Sequence, residues 1–304
     1  MDKLTVNDLS VKYRYGALAV SDLSFSVGKG VLCVFGDTEA GKTSLFKTIA
    51  GIHKPVSGTI CFDDQNVTEI STQERKVCLL YEDGGFFERK TARYNLTYPL
   101  KIRKVPEEER ENTVLSVAKK VGFYQDRLDV RTKRLTQEER ILLAFARAYT
   151  HQSDLYLIDD ALKKAENREE VFQMIKPFIE DFAKNSVVLY ATDNVSECEE
   201  LGGKILFLHY GIPMFFGTIG EIRKDPPDLT AVEKFCPNAI AEETVLFDEG
   251  KEFRFTAFEQ DYTYEKKDLL SKVFIGKTVV AVKLNEKVLL YDQKSERRIF
   301  FLTA

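Results

Sequence analysis

The stretch Gly36 to Ser44, GDTEAGKTS, constrains this chain more than any other, because it satisfies G-x-x-x-x-G-K-[ST] at every fixed position. That pattern needs a strand before it and a helix after it. Val31 to Phe35 is a short apolar run between Gly30 and Gly36, as in a buried parallel strand, and Leu45 to Ala50 continues as helix. In such a loop Gly36, Asp37, Thr38, Glu39, Ala40 and Gly41 offer backbone N–H groups to phosphates as the chain enters the helix at Lys42, Thr43 and Ser44. Lys42 is expected to reach the β- and γ-phosphates, and Thr43 to place its hydroxyl on Mg²⁺. The plain alternative, a glycine turn that binds nothing, fits the full pattern and its context less well. Asp37 and Glu39 are unusual here, since carboxylates beside a polyphosphate repel it unless they point to solvent.

A chain of 304 residues with 44% hydrophobic and 30% charged content is expected to form about two globular domains. The net charge of -4 argues against a nucleic-acid partner bound through a broad basic face. No apolar run approaches the ~20 residues that span a bilayer, and the first residues lead into no apolar signal region, so membrane association is expected to come through partners. Cys33, Cys61, Cys78, Cys198 and Cys236 are far apart and form no C-x-x-C pair, which reads as small core residues of a reducing compartment. His53, His151 and His209 have no metal-ligand spacing.

Leu4, Val6, Leu9 and Val11, then Leu23, Phe25 and Val27, alternate as antiparallel strands on either side of a turn at Gly16. Tyr15 stands where a ring either stacks on a base or fills a half-buried strand. Strands are expected at Gly58 to Phe62 and Val77 to Tyr81, the latter ending in Glu82-Asp83-Gly84-Gly85. Helix follows to about Tyr149: Pro106 and an acidic first turn open one segment, Gly122 closes it, and Leu135 to Tyr149 forms another. Asp154 to Asp160 is an apolar strand ending in two carboxylates, followed by helix over Asn167 to Lys184 and a strand at Val187 to Ala191. A further helix leads to a hairpin over Ile205 to Phe216 that turns at Tyr210-Gly211. Strands alternating with helices predict an α/β domain with a mostly parallel sheet over residues 1–224. Asp225-Pro226-Pro227-Asp228 reads as a linker, and short alternating segments at Thr244 to Phe247, Phe253 to Phe258, Thr278 to Leu284, Val288 to Tyr291 and Ile299 to Leu302 predict a small β-rich domain over 225–304.

Taken together, the aromatic before glycine in KYRYG, the loop GDTEAGKTS, AGIHKPVSGTICFDD, LLYEDGGFFERKTARYNL, RLTQEERILLAFARAY, LYLIDD, and VLYATDNVSECEEL with the hairpin ending FFGTIGEI carry a resemblance. The chain resembles the ATP-binding subunit of ABC transporters, most closely the carbohydrate-importer, maltose-type family. The resemblance implies a P-loop NTPase fold with a helical subdomain inserted at about residues 84–150 and an OB/TOBE-like C-terminal domain with a regulatory or dimerisation role. It also implies ATP and Mg²⁺ as ligands, Tyr15 on the adenine, Thr43, Glu82 and Asp159 at the metal, and membrane permease subunits as partners on the cytoplasmic face of the membrane. The segment Gly84 to Tyr98, with Phe86, Phe87, Tyr94 and Tyr98, would receive a permease helix or pack the helical subdomain on its own sheet.

Several functional positions depart from the family pattern. The glutamine that helps hold Mg²⁺ falls on Glu82, a carboxylate that still binds metal but alters the local charge. The catalytic glutamate falls on Asp160, one methylene shorter, which leaves a base about 1 Å short and costs ~10²-fold in rate. The switch histidine falls on Asp193, which has no proton to donate at neutral pH and adds a negative charge facing the phosphate. The signature, where the family uses a serine and two glycines to offer bare N–H groups to a partner subunit's nucleotide, reads Leu135-Thr136-Gln137-Glu138-Glu139. There Thr136 and Glu139 are expected to form a capping box that satisfies those N–H groups internally, and Glu138 adds a second anion. The aspartate that spans the family's dimer interface falls on Glu166.

The leading expectation is an importer subunit that binds ATP–Mg²⁺, hydrolyses it weakly, and pairs with a competent second ATP-binding subunit. A non-enzymatic scaffold and an ordinary homodimeric ATPase remain as alternatives.

Overall fold

The computed structural model describes residues 3–13, 16–81, 83–249, 252–265, 274, 276–284 and 287–299. The chain divides into two compact units, Met1–Phe216 and Gly217–Ala304. In chain order the first begins with β1 (Leu4–Lys12), β2 (Leu18–Val27), β3 (Gly30–Phe35), α1 (Lys42–Ile49), β4 (Ser57–Phe62), β5 (Gln65–Asn66) and β6 (Val77–Leu80). It continues with α2 (Ala92–Ile102), α3 (Glu107–Lys120), α4 (Gln137–His151), β7 (Leu155–Asp159), α5 (Arg168–Ala183), β8 (Val187–Thr192), α6 (Val195–Leu201), β9 (Lys204–His209) and β10 (Ile212–Gly217).

Two sheets organise this unit. A four-stranded sheet has the order β2-β1-β4-β5, and a six-stranded sheet the order β10-β9-β3-β8-β7-β6. In β1 the buried positions change phase between Val6 and Leu9, because a register shift there, with Asp8 at φ 47, adds a residue against β2. The strands β7 and β8 are buried along their whole length, which is why their sequences are continuous apolar runs rather than alternations. Leu45, Phe46 and Ile49 of α1 are fully buried in one cluster with Leu4, Val6 and Val20 of the first sheet and Leu157 and Leu189 of the second. At about 25 cal/mol per Å² of apolar area, this shared core is the main term holding the phosphate loop between the two sheets.

The pairs β3–β8, β3–β9, β6–β7 and β7–β8 are parallel, so the loops after β3, β7 and β8 emerge at one edge of the sheet. That edge is where open α/β sheets bind ligands. The hairpin between β9 and β10 turns at Tyr210 and Gly211 with φ 46 and 78, the paired positive values of a type I′ turn. Within the helical region α2, α3 and α4 pack on one another. Buried Asn95 ties their connections: its amide donates to the carbonyls of Phe87 and Thr91 and to the Thr132 hydroxyl, at 3.3, 3.0 and 2.9 Å.

The second unit contains α7 (Ile219–Lys224), α8 (Leu229–Phe235), β11 (Ile240–Val245), β12 (Phe247–Glu249), β13 (Glu252–Ala257), β14 (Gln260–Glu265), β15 (Thr278–Leu284) and β16 (Lys287–Asp292). Its strands form two antiparallel three-stranded sheets, β11-β15-β16 and β12-β13-β14, around Phe253, Phe255, Val279, Ala281 and Leu290. The β-rich expectation holds, and β14 is a strand the sequence did not announce. Asp225 to Asp228 lies inside this unit: the Tyr291 hydroxyl donates to the Pro226 carbonyl at 3.1 Å, and Asp228 caps α8. Of the segment expected at Ile299 to Leu302, Ile299 is buried and donates to the Leu290 carbonyl at 2.8 Å; the rest lies outside the described residues.

Candidate nucleotide site

The phosphate-loop glycines are required by close approach. A Cβ on Gly36 would lie 2.5 Å from the Leu208 carbonyl oxygen, and one on Gly41 would lie 2.1 Å from that of Ala19. Gly41 also holds φ at +94, in the region that L side chains avoid. It caps α1, and α1 has neither a side-chain cap nor an acidic residue in its first turn. The helix therefore presents N–H groups that no side chain of its own cap satisfies, the arrangement that suits an anion. Asp37, Thr38 and Glu39 are exposed and Ala40 is buried, so the two loop carboxylates face solvent, which limits their repulsion of a phosphate.

Lys42 is 5% exposed and folds back over the loop, donating to the carbonyls of Gly36 and Asp37 at 2.6 and 3.2 Å. Its Nζ also lies 3.5 Å from Asp160 Oδ2. The Thr43 hydroxyl donates to Asp159 Oδ1 at 3.0 Å, across a sequence separation of 116 residues. A hydroxyl and a carboxylate in contact, next to a lysine and an uncapped helix start, are a donor set for a phosphate with a hard divalent cation. Among the described residues no group of three or more His, Cys, Asp or Glu side chains could hold a metal by itself, so a cation here would take its remaining ligands from nucleotide and water.

The loop lines a cavity of about 890 Å³ that also contains Lys12, Tyr13, Lys47, Lys54 and Lys163. Tyr15 and Glu82, expected on the adenine and at the metal, lie outside the described residues. Tyr13, on the same segment as Tyr15, is 42% exposed and reaches the cavity wall.

The three carboxylates that follow β7 and β8 differ in their surroundings. Burial pushes Asp159 up to about 6, with the Thr43 hydrogen bond opposing this and the charge of Asp160 adding to it. Asp160, with φ 45, is raised by burial and by Asp193 against the pull of Lys42. For Asp193 burial acts upward, but the hydrogen bond and charge of Arg168 outweigh it and hold the carboxyl low. Arg168 Nη1 donates to Asp193 Oδ1 at 2.7 Å, so Asp193 is paired where the sequence reading placed an open charge before the phosphate. That ion pair could not be read from sequence, because it joins residues 25 apart through a helix and a strand.

The N-terminus of α4 is capped by its own side chains. The Thr136 hydroxyl accepts from Glu139 N at 3.2 Å, and Glu139 Oε2 accepts from Thr136 N at 2.8 Å. Arg127 locks Glu139 from the other side with bonds of 2.6 and 2.9 Å, an anchor absent from the sequence reading. Leu135 is buried, Gln137 opens the helix, and Glu138 sits in its first turn. Further along α4, Arg140 donates to the Asp83 carbonyl at 3.0 Å and to Glu88, and Arg147 donates to the carbonyls of Gly84 and Gly85. These two arginines, also unmarked by any motif, clamp the loop after β6 with the Phe86 ring 5.4 and 4.6 Å from their guanidinium carbons. Phe87, Tyr94 and Tyr98 form a ring cluster in which Phe87 is 45% and Tyr98 37% exposed.

Residues 20–163 match the family model described as ABC transporter. The chain is 25% identical over 248 residues to the methionine import ATP-binding protein MetN 2 of Bacillus anthracis, covering 78% of this chain and 72% of that protein. It is 27% identical over 235 residues to the sn-glycerol-3-phosphate import ATP-binding protein UgpC of Bartonella quintana, covering 76% and 66%. Among solved structures, a nucleotide-free ATP-binding cassette from an ABC transporter superposes with a TM-score of 0.66 at 18% identity, over 77% of this chain and 99% of that one. The cbiO1 structure from Clostridium perfringens gives 0.63 at 18% identity, over 74% and 96%. With its phosphate loop, its parallel sheet and these matches, the chain has the fold of an ABC transporter ATP-binding cassette.

Proposed function

We propose that this chain is the ATP-binding subunit of an ABC importer, that it holds ATP–Mg²⁺ at the Gly36 to Ser44 loop, and that it hydrolyses ATP weakly. The observation that carries the reading is the contrast between two helix starts: α1 is left open beside Lys42 and Thr43, whereas α4 is closed by Thr136 and Glu139. The first suits a bound phosphate, and the second leaves few N–H groups for a nucleotide on a partner subunit.

In this reading Lys42, now on the Gly36 and Asp37 carbonyls, would bind the β- and γ-phosphates, and Thr43, Asp159 and Glu82 would hold Mg²⁺. Bound Mg²⁺ supplies charge neutralisation between the phosphates. Tyr15 stacks on the adenine. Asp160 stands where a water would be deprotonated, but its side chain, one methylene shorter than glutamate, would fall short of that water. Pairing with a second ATP-binding subunit that has an open signature would complete this chain's own site, and membrane permease subunits would dock at Phe87, Tyr94 and Tyr98. The β-rich region over 225–304 would serve regulation or dimerisation. No helix among the described residues is long and apolar enough to cross a membrane, which fits peripheral attachment through the permease. Import is the stated role of the named relatives, whose cargoes are methionine and glycerol phosphate. A carbohydrate cargo rests on the sequence resemblance, and cargo choice would belong to the permease.

Calorimetric titration of the purified chain with ATP–Mg²⁺ tests the binding half. Saturable 1:1 binding that Lys42→Ala abolishes is expected, and binding that persists in Lys42→Ala would move the ligand elsewhere.

A further inference from the structure

The pairing of Asp193 has a consequence for which nucleotide the site accepts. Asp193 follows β8 directly, and Thr192 beside it pairs with Phe35 and accepts the Gly36 N–H at 3.2 Å through its carbonyl. The carboxylate thus flanks the first residue of the phosphate loop, close enough for the charges of Lys42 and Asp160 to act on it and on each other. Three carboxylates, Asp159, Asp160 and Asp193, stand at this edge around one buried lysine. An additional phosphate group entering there meets a negative field.

Arg168, the first residue of α5, answers that field. Besides the 2.7 Å bond to Asp193, its Nη2 donates to the Thr192 hydroxyl at 2.8 Å and its Nε to Glu197 Oε1 at 2.5 Å. Glu197, 3% exposed, is itself fixed by the hydroxyls of Tyr190 and Thr192 at 2.9 and 2.5 Å. The guanidinium is therefore held rigidly by a buried anchor, and one edge of its fork is aimed at Asp193. We infer that Arg168 sets the site's acceptance of a γ-phosphate: by pairing Asp193 against the Glu197 anchor, it removes a repulsion that would otherwise select ADP over ATP. Arg168 acts through Asp193 and is a positioning residue. The inference rests on the nucleotide reading above.

The test is a double-mutant cycle on the full chain, measuring ATP–Mg²⁺ and ADP–Mg²⁺ dissociation constants by displacement of a fluorescent nucleotide. Arg168→Ala should weaken ATP on the order of tenfold while ADP changes little, since only ATP brings the additional charge to Asp193. Adding Asp193→Asn to Arg168→Ala should restore ATP binding, whereas Asp193→Asn alone should leave both affinities nearly unchanged. Arg168→Lys keeps a cation for the buried Glu197 and preserves the fold should the alanine variant lose it; it should show the same ATP-selective loss in weaker form. Equal losses for ATP and ADP, or no rescue by Asp193→Asn, would overturn the inference alone. Absence of any nucleotide binding by the unmodified chain would instead overturn the nucleotide reading, and this inference with it.

Discussion

Asp159 and Thr43 set how the site responds to pH. With Asp159 pushed up to about 6 from 3.8, the folded chain keeps this proton in a pH range where the unfolded chain has lost it. As pH rises from about 4 to about 6, this group therefore subtracts stability from the ligand-free protein, by up to about 3 kcal/mol across the window. Bound Mg²⁺ favours the ionised form, so ATP–Mg²⁺ affinity should fall as pH drops below about 6, and Asp159→Asn should flatten that profile. Titrations at several pH values check this; an unchanged slope in Asp159→Asn would assign the dependence to another group. Gly41→Ala is expected to strain the loop, given φ +94 and a Cβ 2.1 Å from a carbonyl oxygen. A loss of about 1–3 kcal/mol in urea unfolding, together with lost nucleotide binding, is the expected result.

Among the elements, α4 is the one whose N-terminus the proposed function turns on. Thr136→Ala removes half of the capping box and should cost about 1 kcal/mol of stability. Glu139→Ala should cost more, because Arg127 loses its partner as well. Denaturant midpoints of the two variants measure the difference. Much of this element was legible beforehand: T-x-x-E before an apolar run is a local signal, and it forms as the spacing says. The strand, loop and helix around Gly36 were legible for the same reason, since a fixed motif between two apolar segments is local. What stayed hidden depends on residues distant in sequence. Arg140 meets the Asp83 carbonyl 57 residues away, and Arg168 meets Asp193 and Glu197 across β8, pairs that leave no periodicity. The β14 strand was hidden because Gln260 to Glu265 is polar at most positions; it is held by its pairing with β13 and by Tyr262 stacked on Phe255, both contacts distant from any local pattern.

Across the whole molecule, a phosphate loop with an open helix start and an α4 with a closed one underlie the proposal of a subunit that binds ATP and relies on a partner for turnover. The exposed rings of Phe87 and Tyr98 are the proposed contact with the permease, so Phe87→Asp should reduce copurification with permease subunits without lowering ATP affinity. Unchanged copurification would locate the contact elsewhere. The central claim, binding with little hydrolysis, is tested most directly by phosphate release from the purified full chain at saturating ATP–Mg²⁺. Turnover of ~10⁻² s⁻¹ or slower is predicted, two orders below the low end of ordinary enzyme rates. Release at about 1 s⁻¹ or faster by the chain alone would contradict the account.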